Sequence, residues 1–351
     1  MTSRPVSYVY MLSWSLPLLS LFGMLAGGWA SFSLAIFSFV ILPVADWFIG
    51  RAPRLPHHVE NESAQYILEA FVPLCLGVLV IGLLTAHSWS ALEWVGNGLA
   101  LGIQGGVGIA ASHELGHRRN AWLKELARPM LWTAFYGHFS VEHNRGHHVW
   151  VGTPHDPATA RRGQSYYSYW LQAVPGTFRG AWRLEAERLM KLRLPEWHWR
   201  NEALHGLVAS AVLLAGAWCV GGIAGIGLFF AQAIVGISLL EAVNYVEHYG
   251  LIREQRADGR FERASAAHCW SGNHRLSNYL LFELQRHADH HVRPTAPFAT
   301  LGDQAESPML PASYPTMVLL ALAPRYWFRI MEPRLERHYH NIHTQRGALS
   351  V

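Results

Sequence analysis

Residues 203–240, ALHGLVASAVLLAGAWCVGGIAGIGLFFAQAIVGISLL, contain no Asp, Glu, Lys or Arg over 38 consecutive positions. A helix crosses the hydrocarbon core of a bilayer with about 20 apolar residues, so this stretch is long enough for two crossings. A Gly221–Gly222 pair lies near its middle, where the chain can leave one helix and begin another. The stretch therefore predicts two membrane spans.

Three further uncharged runs lie nearer the N-terminus, and only 15% of the 351 residues are charged, against about 25% in soluble proteins. The runs cover 41, 23 and 20 residues, and the first breaks near Gly27–Gly28. These features predict an all-α membrane protein. They exclude a secreted disulfide scaffold, a disordered chain and a simple nucleic-acid-binding domain. The six predicted transmembrane helices cover about 6–27, 30–49, 65–86, 91–112, 201–221 and 224–248.

All 28 Lys and Arg residues would lie on one side of such a bundle. Three precede residue 55, 13 lie within 118–200 and 12 within 253–346. Because basic loops stay in the cytoplasm, we expect the inner (cytoplasmic) membrane with both termini inside. Segments of about 113–200 and 249–351 would form a helical cytoplasmic cap, and the chain would be a single membrane-embedded catalytic domain. This sidedness explains the basic pI without a nucleic-acid partner.

Two stretches could be mistaken for other elements. GIQGGVG at 102–108 resembles a nucleotide-binding loop, but no strand precedes it and it lies inside a span. Small residues there predict close helix packing. The apolar stretch Tyr314–Ile330 is interrupted by Pro315 and Pro324, so it predicts an interfacial or cap-packing helix and not a seventh span.

The placement of the 21 histidines carries the chemical information. Three clusters read HxxxH at 113–117, HxxxHH at 143–148 and HxxHH at 287–291, and His248 ends the sixth span. Residues three or four apart share a helix face, so each cluster can aim two imidazoles at one point. All four positions fall where the bundle meets the cap. The predicted metal ligands are His113, His117, His143, His147, His148, His248, His287, His290 and His291.

Nine ligands exceed what one octahedral ion accepts, so two metal ions are implied. Imidazole suits iron, copper, zinc and nickel. No CxxC pair is present, and an all-nitrogen site fits redox iron and oxygen chemistry better than structural zinc. Isolated histidines are more often polar anchors, a role that we assign to His57, His58, His87, His198, His205, His338, His340 and His343. Four more stand between the two classes, namely His138, His155, His268 and His274.

Acidic residues adjoin these clusters. A metal-bound histidine usually donates its other N–H to a carboxylate or carbonyl, and a carboxylate near the membrane boundary is costly unless it is paired. By the same reasoning we expect Asp46, at the end of the second span, to pair with an arginine. The carboxylates expected to orient the histidines are Glu114, Glu142, Glu247, Asp289 and Asp156.

In combination, these motifs resemble the histidine-box superfamily of membrane di-iron hydroxylases and desaturases. HELGH at 113–117, EHNRGHH at 142–148 and QRHADHH at 285–291 carry the likeness. NYVEHYGL at 244–251 is similar to a signature of AlkB-like integral-membrane alkane 1-monooxygenases. The family's ligands fall on the same nine histidines. A departure occurs at 267–274, where Cys269 and Gly272 stand in place of polar residues.

The resemblance implies O2-dependent terminal hydroxylation of medium- and long-chain n-alkanes to primary alcohols at two iron ions, with no catalytic residue beyond the metal ligands. It also implies electrons from a rubredoxin and an NAD(P)H-dependent rubredoxin reductase, because this chain carries no flavin, NAD or haem motif. An alkane has no polar handle, so we expect an apolar channel that opens to the lipid bilayer. Trp29, Phe32 and Phe39 are expected to line it, unless they face lipid or pack between helices.

Two alternatives remain open. A membrane fatty-acyl or lipid desaturase, or another histidine-box hydroxylase, would carry the same clusters, although NYVEHYGL argues against it. A membrane metal transporter would place its ligands near the bilayer midplane, whereas these clusters are predicted at the cytoplasmic edge.

Overall fold

The computed structural model describes residues 7–52 and 62–349, so His57 and His58 lie outside the described residues. Within these ranges the chain is helical and forms isolated bridges but no β-strand. The principal helices are α1 Tyr8–Ala26, α2 Gly28–Ile49, α3 Glu62–Ser88, α4 Ala91–Gly116, α5 Ala121–Thr133, α6 139–150, α7 Tyr166–Lys191, α8 Glu202–His248, α9 Arg275–Leu280, α10 His287–Val292, α11 Tyr314–Ala321 and α12 Pro324–Leu349.

Four helices in the described part of the chain are long and apolar enough to cross a membrane, namely α1, α2, α3 and α8. The 47-residue α8 contains a break at Gly222, whose φ of +57° and ψ of −141° are not helical. It therefore consists of two halves that meet at the predicted Gly221–Gly222 pair. The 26-residue α4 is about 39 Å long at 1.5 Å per residue, but it is less apolar than the other four. Helices thus occupy all six predicted ranges.

The centre of the bundle is α4, most of which is buried from Gly96 to Leu115. A Cβ atom at Gly102 would lie 2.3 Å from the Cβ atom of Val235 on α8, and one at Gly106 would lie 3.2 Å from that of Leu239. Only glycine allows so close an approach at Gly102. The predicted packing role of GIQGGVG is therefore confirmed, and its effect is to hold the second half of α8 against α4.

The stretch from Tyr314 divides into two helices. The eight-residue α11 ends at Ala321, and Pro324 opens α12, where a proline costs no hydrogen bond. Met317 of α11 and Trp327 of α12 are fully buried and pack in one cluster with Tyr245 of α8. The stretch therefore packs against α8, as predicted for a packing element.

Asp46, at the end of α2, has a different partner from the one expected. Its side chain is 1% exposed, and its Oδ1 accepts the backbone N–H groups of Leu276 and Ser277 at 3.1 and 3.2 Å. These amides belong to the first turn of α9, where the free N–H groups and the helix dipole favour an anion. The expectation of an arginine partner was wrong, because the backbone supplied the donors.

Candidate metal centre

All nine predicted histidines come together in two groups, although they lie on four separate stretches of the chain. The potential ligand atoms within each group lie within 4.8 Å of one another. The five-histidine group consists of His113, His117, His143, His148 and His290, and the four-histidine group consists of His147, His248, His287 and His291.

The imidazole Nε2 atoms converge closely in the five-histidine group. His113 Nε2 lies 3.1 Å from that of His117 and 2.7 Å from that of His143. The His143 atom in turn lies 2.9 Å from that of His148, which lies 3.3 Å from that of His290. In the four-histidine group, His287 Nε2 lies 3.0 Å from His248 Nε2 and 2.8 Å from His291 Nε2.

Hydrogen bonding alone does not explain these contacts. A neutral imidazole nitrogen either donates one hydrogen bond or accepts one, so a nitrogen with two nitrogen neighbours satisfies only one of them. Adjacent ligands at about 2.1 Å and right angles around one ion are ~3.0 Å apart, which matches the observed 2.7–3.3 Å separations. In the four-histidine group, His147 Nε2 is buried without a protein partner among the described residues. Both donor sets therefore fit a bound metal ion.

The local backbone decides which histidine joins which group. His113 and His117 are one turn apart on α4, as the HxxxH spacing predicts. The second cluster differs, because residues His143–His147 form a π-helical turn in which residues five apart are stacked. His143 therefore meets His148, with ring centroids 4.5 Å apart, while His147 points to the other group. The expectation that His143 and His147 share one target was wrong.

The third cluster is also divided between the groups. On α10, His287 and His291 lie one turn apart, with ring centroids separated by 4.5 Å, and they belong to the four-histidine group. His290 has its ring 4.5 Å from that of His113 in the five-histidine group. Two of the three clusters thus serve both groups, which places the groups side by side.

Burial keeps these imidazoles neutral. Desolvation, followed by the charges of neighbouring histidines, lowers the pKa values of His117, His143 and His290 well below the usual 6.5. The same causes act on His287 and His291. Metal ligation requires the neutral ring, so the site is held in its binding form at physiological pH.

One of the five expected carboxylates receives the outer N–H of a predicted ligand. Asp156 Oδ2 lies 3.0 Å from His147 Nδ1 and also accepts the Thr159 hydroxyl at 2.6 Å. Although burial raises the pKa of Asp156, the His147 ring and these hydrogen bonds lower it overall. The carboxylate thus fixes the ring so that Nε2 faces the four-histidine group.

The other four carboxylates are placed differently. Glu114 accepts hydrogen bonds from the Arg118 side chain at 2.7 Å and from the Phe298 amide at 3.0 Å. Asp289 accepts hydrogen bonds from the Arg293 side chain, the Gly302 amide and the Gln304 side chain. Glu142 is buried against the backbone of Gly146 and Gly180. Glu247 lies beside the metal-facing nitrogen of His287, at 3.3 Å.

An apolar cavity of about 100 Å³ leads to the histidines from within the bundle. Its far walls are aliphatic and aromatic, and Phe39 is one of them. Its metal end carries His113, His143 and His287 together with Asn244, Glu247 and Tyr314. No local sequence pattern singles out Tyr314, because its hydrogen-bond partner, Glu247, lies 67 positions away.

Trp29 and Phe32 are not among the residues that line this cavity. Trp29 is 77% exposed and packs on Phe32 at 5.9 Å between ring centroids. Glu93, near the start of α4, accepts the Gly28 amide, and the 20 residues from Glu93 to His113 span about 30 Å of helix. The two aromatic residues therefore lie at the opposite end of the bundle from the histidines.

Sequence reasoning also missed a polar cluster in the second half of α8. Glu241 is fully buried and accepts the hydroxyls of Tyr136 at 2.7 Å and Tyr169 at 2.9 Å. Tyr169 also reaches the Ala158 carbonyl, in the loop that carries Asp156. The available signal was Glu241 itself, which ends the 38-residue uncharged run. A charged residue inside a membrane is rarely without a partner.

Comparison with known proteins agrees with this geometry. The model of the fatty acid desaturase family matches residues 88–321. Alkane 1-monooxygenase 1 of Pseudomonas aeruginosa is 40% identical to this chain, over 89% of this chain and 84% of the relative. The chain belongs to the alkane 1-monooxygenase family. Among family members, the enzyme of Acinetobacter baylyi is 34% identical over 97% of this chain and 89% of its own length.

A more distant relative helps to place the chain within the larger desaturase family. The hydroxylase component of xylene/toluene monooxygenase from Pseudomonas putida is 31% identical over 65% of this chain and 60% of that protein. The alkane 1-monooxygenases match this chain over a larger share of both lengths. The resemblance inferred from the histidine clusters and NYVEHYGL is therefore confirmed.

Proposed function

We propose that this chain catalyses the hydroxylation of medium- and long-chain n-alkanes at a terminal methyl group, consuming O2, two electrons and two protons and releasing a primary alcohol and water. The observation that carries the proposal is an apolar cavity that ends at two converging groups of histidines. Membership of the alkane 1-monooxygenase family supports the same activity.

We infer that each group holds one iron ion, so that the nine histidines are the ligands of a di-iron site. When bound and reduced, iron supplies the O2 activation that breaking an unactivated C–H bond requires. The protein contributes neutral imidazoles and a fixed ring orientation, for example through Asp156 and His147. Burial excludes water from this end of the cavity, which limits side reactions with water there.

The cavity walls account for the class of substrate. Leu239, Leu240 and Val243 of α8 and Phe39 of α2 offer no hydrogen bond along the chain of a bound alkane. Among the residues that line the cavity, every polar side chain except Ser38 lies at the metal end. An alkane is therefore held by shape and desolvation, with one end directed at the histidines.

We further propose that the six predicted spans cross the inner membrane, and that segments 113–200 and 249–351 cap the bundle on the cytoplasmic side. The outer surface of the helices supports this placement, because Trp47, Phe48 and Ile223 are each more than 80% exposed. Exposed apolar side chains on long helices suit contact with lipid. Alkanes would reach the cavity from the same lipid phase.

Electrons would come from a rubredoxin that is reduced by an NAD(P)H-dependent reductase. A surface cleft supports this proposal, because its walls include His117 and His148 of the five-histidine group together with Lys124, Arg128 and Arg145. Docking at this cleft would bring a carrier next to two of the proposed ligands. Glu202 also lines the cleft and lies 3.9 Å from both Arg128 and Arg145. Three cations against one carboxylate leave a net positive charge, which favours an acidic partner.

The test is aerobic turnover by the iron-reconstituted chain in lipid vesicles, with rubredoxin, reductase and NAD(P)H, on alkanes from octane to hexadecane. We expect primary alcohols that carry 18O from 18O2, detected by gas chromatography and mass spectrometry. A parallel reaction with fatty-acyl lipids tests the desaturase alternative. Unsaturated acyl products without alcohols from alkanes would replace the proposal with that alternative.

A further inference from the structure

Glu247 lies on the metal-facing side of a proposed ligand. Its Oε2 is 3.3 Å from His287 Nε2, the nitrogen that His287 directs into the four-histidine group. The opposite nitrogen, Nδ1, is buried without a hydrogen-bond partner in the described part of the chain. A carboxylate that merely oriented this ring would contact Nδ1, so Glu247 occupies the position of a ligand and not that of an orienting group.

A simple ion pair does not explain this contact. His287 Nε2 also lies 3.0 Å from His248 Nε2 and 2.8 Å from His291 Nε2, and one N–H cannot serve three acceptors. All three separations are near the ~3.0 Å expected between adjacent ligands of one ion. The carboxylate is not part of the set whose ligand atoms all lie within 4.8 Å of one another. It would therefore turn toward the three nitrogens when an ion binds, and an ion shared by them would then satisfy every contact.

The surroundings of Glu247 suit a bound cation. Its side chain is 1% exposed, and the Tyr314 hydroxyl donates to Oε1 at 2.8 Å. Among the described residues, no lysine or arginine forms an ion pair with it. Buried charges in proteins are paired or bind a metal ion. Glu247 and Tyr314 also line the apolar cavity, so Oε2 lies between the cavity and the four-histidine group.

We propose that Glu247 supplies an oxygen ligand to the ion of the four-histidine group, with Tyr314 fixing the orientation of the carboxylate. This inference rests on the proposed metal centre. It gives the two ions five protein ligands each and makes them chemically different, since one would have only nitrogen ligands. It also places the only proposed oxygen ligand on the side from which a substrate approaches.

Infrared difference spectroscopy tests the proposal with Zn2+ as a redox-silent probe. Spectra of the metal-free and Zn2+-saturated full-length chain are compared in detergent, for the wild type, Glu247→Gln and Glu241→Gln. Glu241 is the matched control, because it lies on the same helix and is also buried beneath tyrosine hydroxyls. We expect Zn2+ to shift a carboxylate stretching band in the wild type and in Glu241→Gln, but not in Glu247→Gln. A wild type without the shift, or a Glu247→Gln variant that retains it, overturns the proposal.

A second measurement follows the release of bound Zn2+ to a chelator. Losing a ligand should make one of the two ions leave at least about tenfold faster in Glu247→Gln, whereas Glu247→Asp should restore slower release because it keeps a carboxylate. Equal rates in Glu247→Gln and the wild type contradict the proposal. A wild type that takes up fewer than two ions would instead refute the di-metal centre. If Glu247→Gln fails to fold, the wild-type spectrum and Glu247→Asp still decide.

Discussion

His143 is central to the five-histidine group, because its Nε2 lies within 2.9 Å of both His113 Nε2 and His148 Nε2. We expect His143→Ala to retain about one metal ion fewer per chain than the wild type, measured by elemental analysis after metal loading and gel filtration.

The control for this variant is His138→Ala. His138 is also buried, which lowers its pKa to about 4, but it packs on Tyr136 and Phe178 outside both groups. Its replacement should keep both ions. Equal metal content in His143→Ala and His138→Ala would contradict the assignment of His143 as a ligand.

Phe39 and Trp29 give a matched test of the substrate cavity. Phe39 lines the cavity, whereas Trp29 lies on the exposed surface at the other end of the bundle. We expect Phe39→Ala to change the distribution of alkane chain lengths that are hydroxylated, because the variant enlarges the cavity. Trp29→Ala should leave the distribution unchanged. Product analysis from a mixture of octane to hexadecane measures both, and a shift in Trp29→Ala alone would reverse the assignment.

At the level of single residues, the sequence predicted the ligands better than their supports. Histidine clusters are recognisable by their spacing, so the nine rings that converge were all among the predicted ligands. Spacing does not tell which ring nitrogen faces a metal ion, and this is why Glu247 was expected behind a histidine. Tyr314 and Glu241 depend on contacts across 67 and 105 positions, which a local pattern does not contain.

At the level of helices, the six apolar ranges were predictable because long uncharged runs have one stable form in a membrane. The π-helical turn at His143–His147 was not, since a regular α-helical period was the only available assumption. One extra residue in that turn directs adjacent histidines to different groups. The pairing of His143 with His148, and not with His147, follows from this irregularity.

The break within α8 depends on Gly222. Its positive φ lies in a region that other residues occupy only at a cost of about 1–3 kcal/mol. We therefore expect Gly222→Ala to lower the thermal midpoint measured by circular dichroism in detergent. Gly216→Ala is the control, because a Cβ atom there meets no other atom within 4 Å and alanine favours a helix. A midpoint that falls equally in both variants would show that the conformation of Gly222 is not the cause.

For the whole molecule, the distribution of basic residues makes a testable statement about sidedness. In a background without the native cysteines, we expect Arg119→Cys in vesicles with the cytoplasmic side outward to react with a membrane-impermeant maleimide. Trp29→Cys should react only after the vesicles are opened. Labelling of both positions from the same side would contradict the six-span arrangement and the cytoplasmic cap.

The stability of the metal-free protein should depend on pH. The unfolded chain protonates its histidines near pH 6.5, whereas burial lowers the folded pKa values of His143, His287 and His290 far below this. The unfolded state therefore binds more protons below pH 6.5, and stability falls as the pH decreases. Burial raises the pKa values of Glu114, Glu142 and Glu283, which opposes the trend, but the buried histidines outnumber these carboxyl groups.

The corresponding measurement is the thermal midpoint of the metal-free chain between pH 8 and pH 5. Each buried histidine lowers the free energy of unfolding by up to about 1.4 kcal/mol per pH unit below 6.5. We expect the midpoint to decrease as the pH falls below about 6.5. A constant midpoint over this range would show that the rings are already protonated or are exposed in the folded state.

The π-helical turn at His143–His147 and the short helix α10 each carry histidines of both groups. The two groups are therefore built from the same stretches of the chain. A shift of the helical register by one residue at His147 or His290 would displace rings of both groups. A point substitution such as His143→Ala alters one group, whereas an insertion or deletion in either stretch displaces rings of both. Changes of chain length in these two stretches should therefore be tolerated less well than changes of single residues.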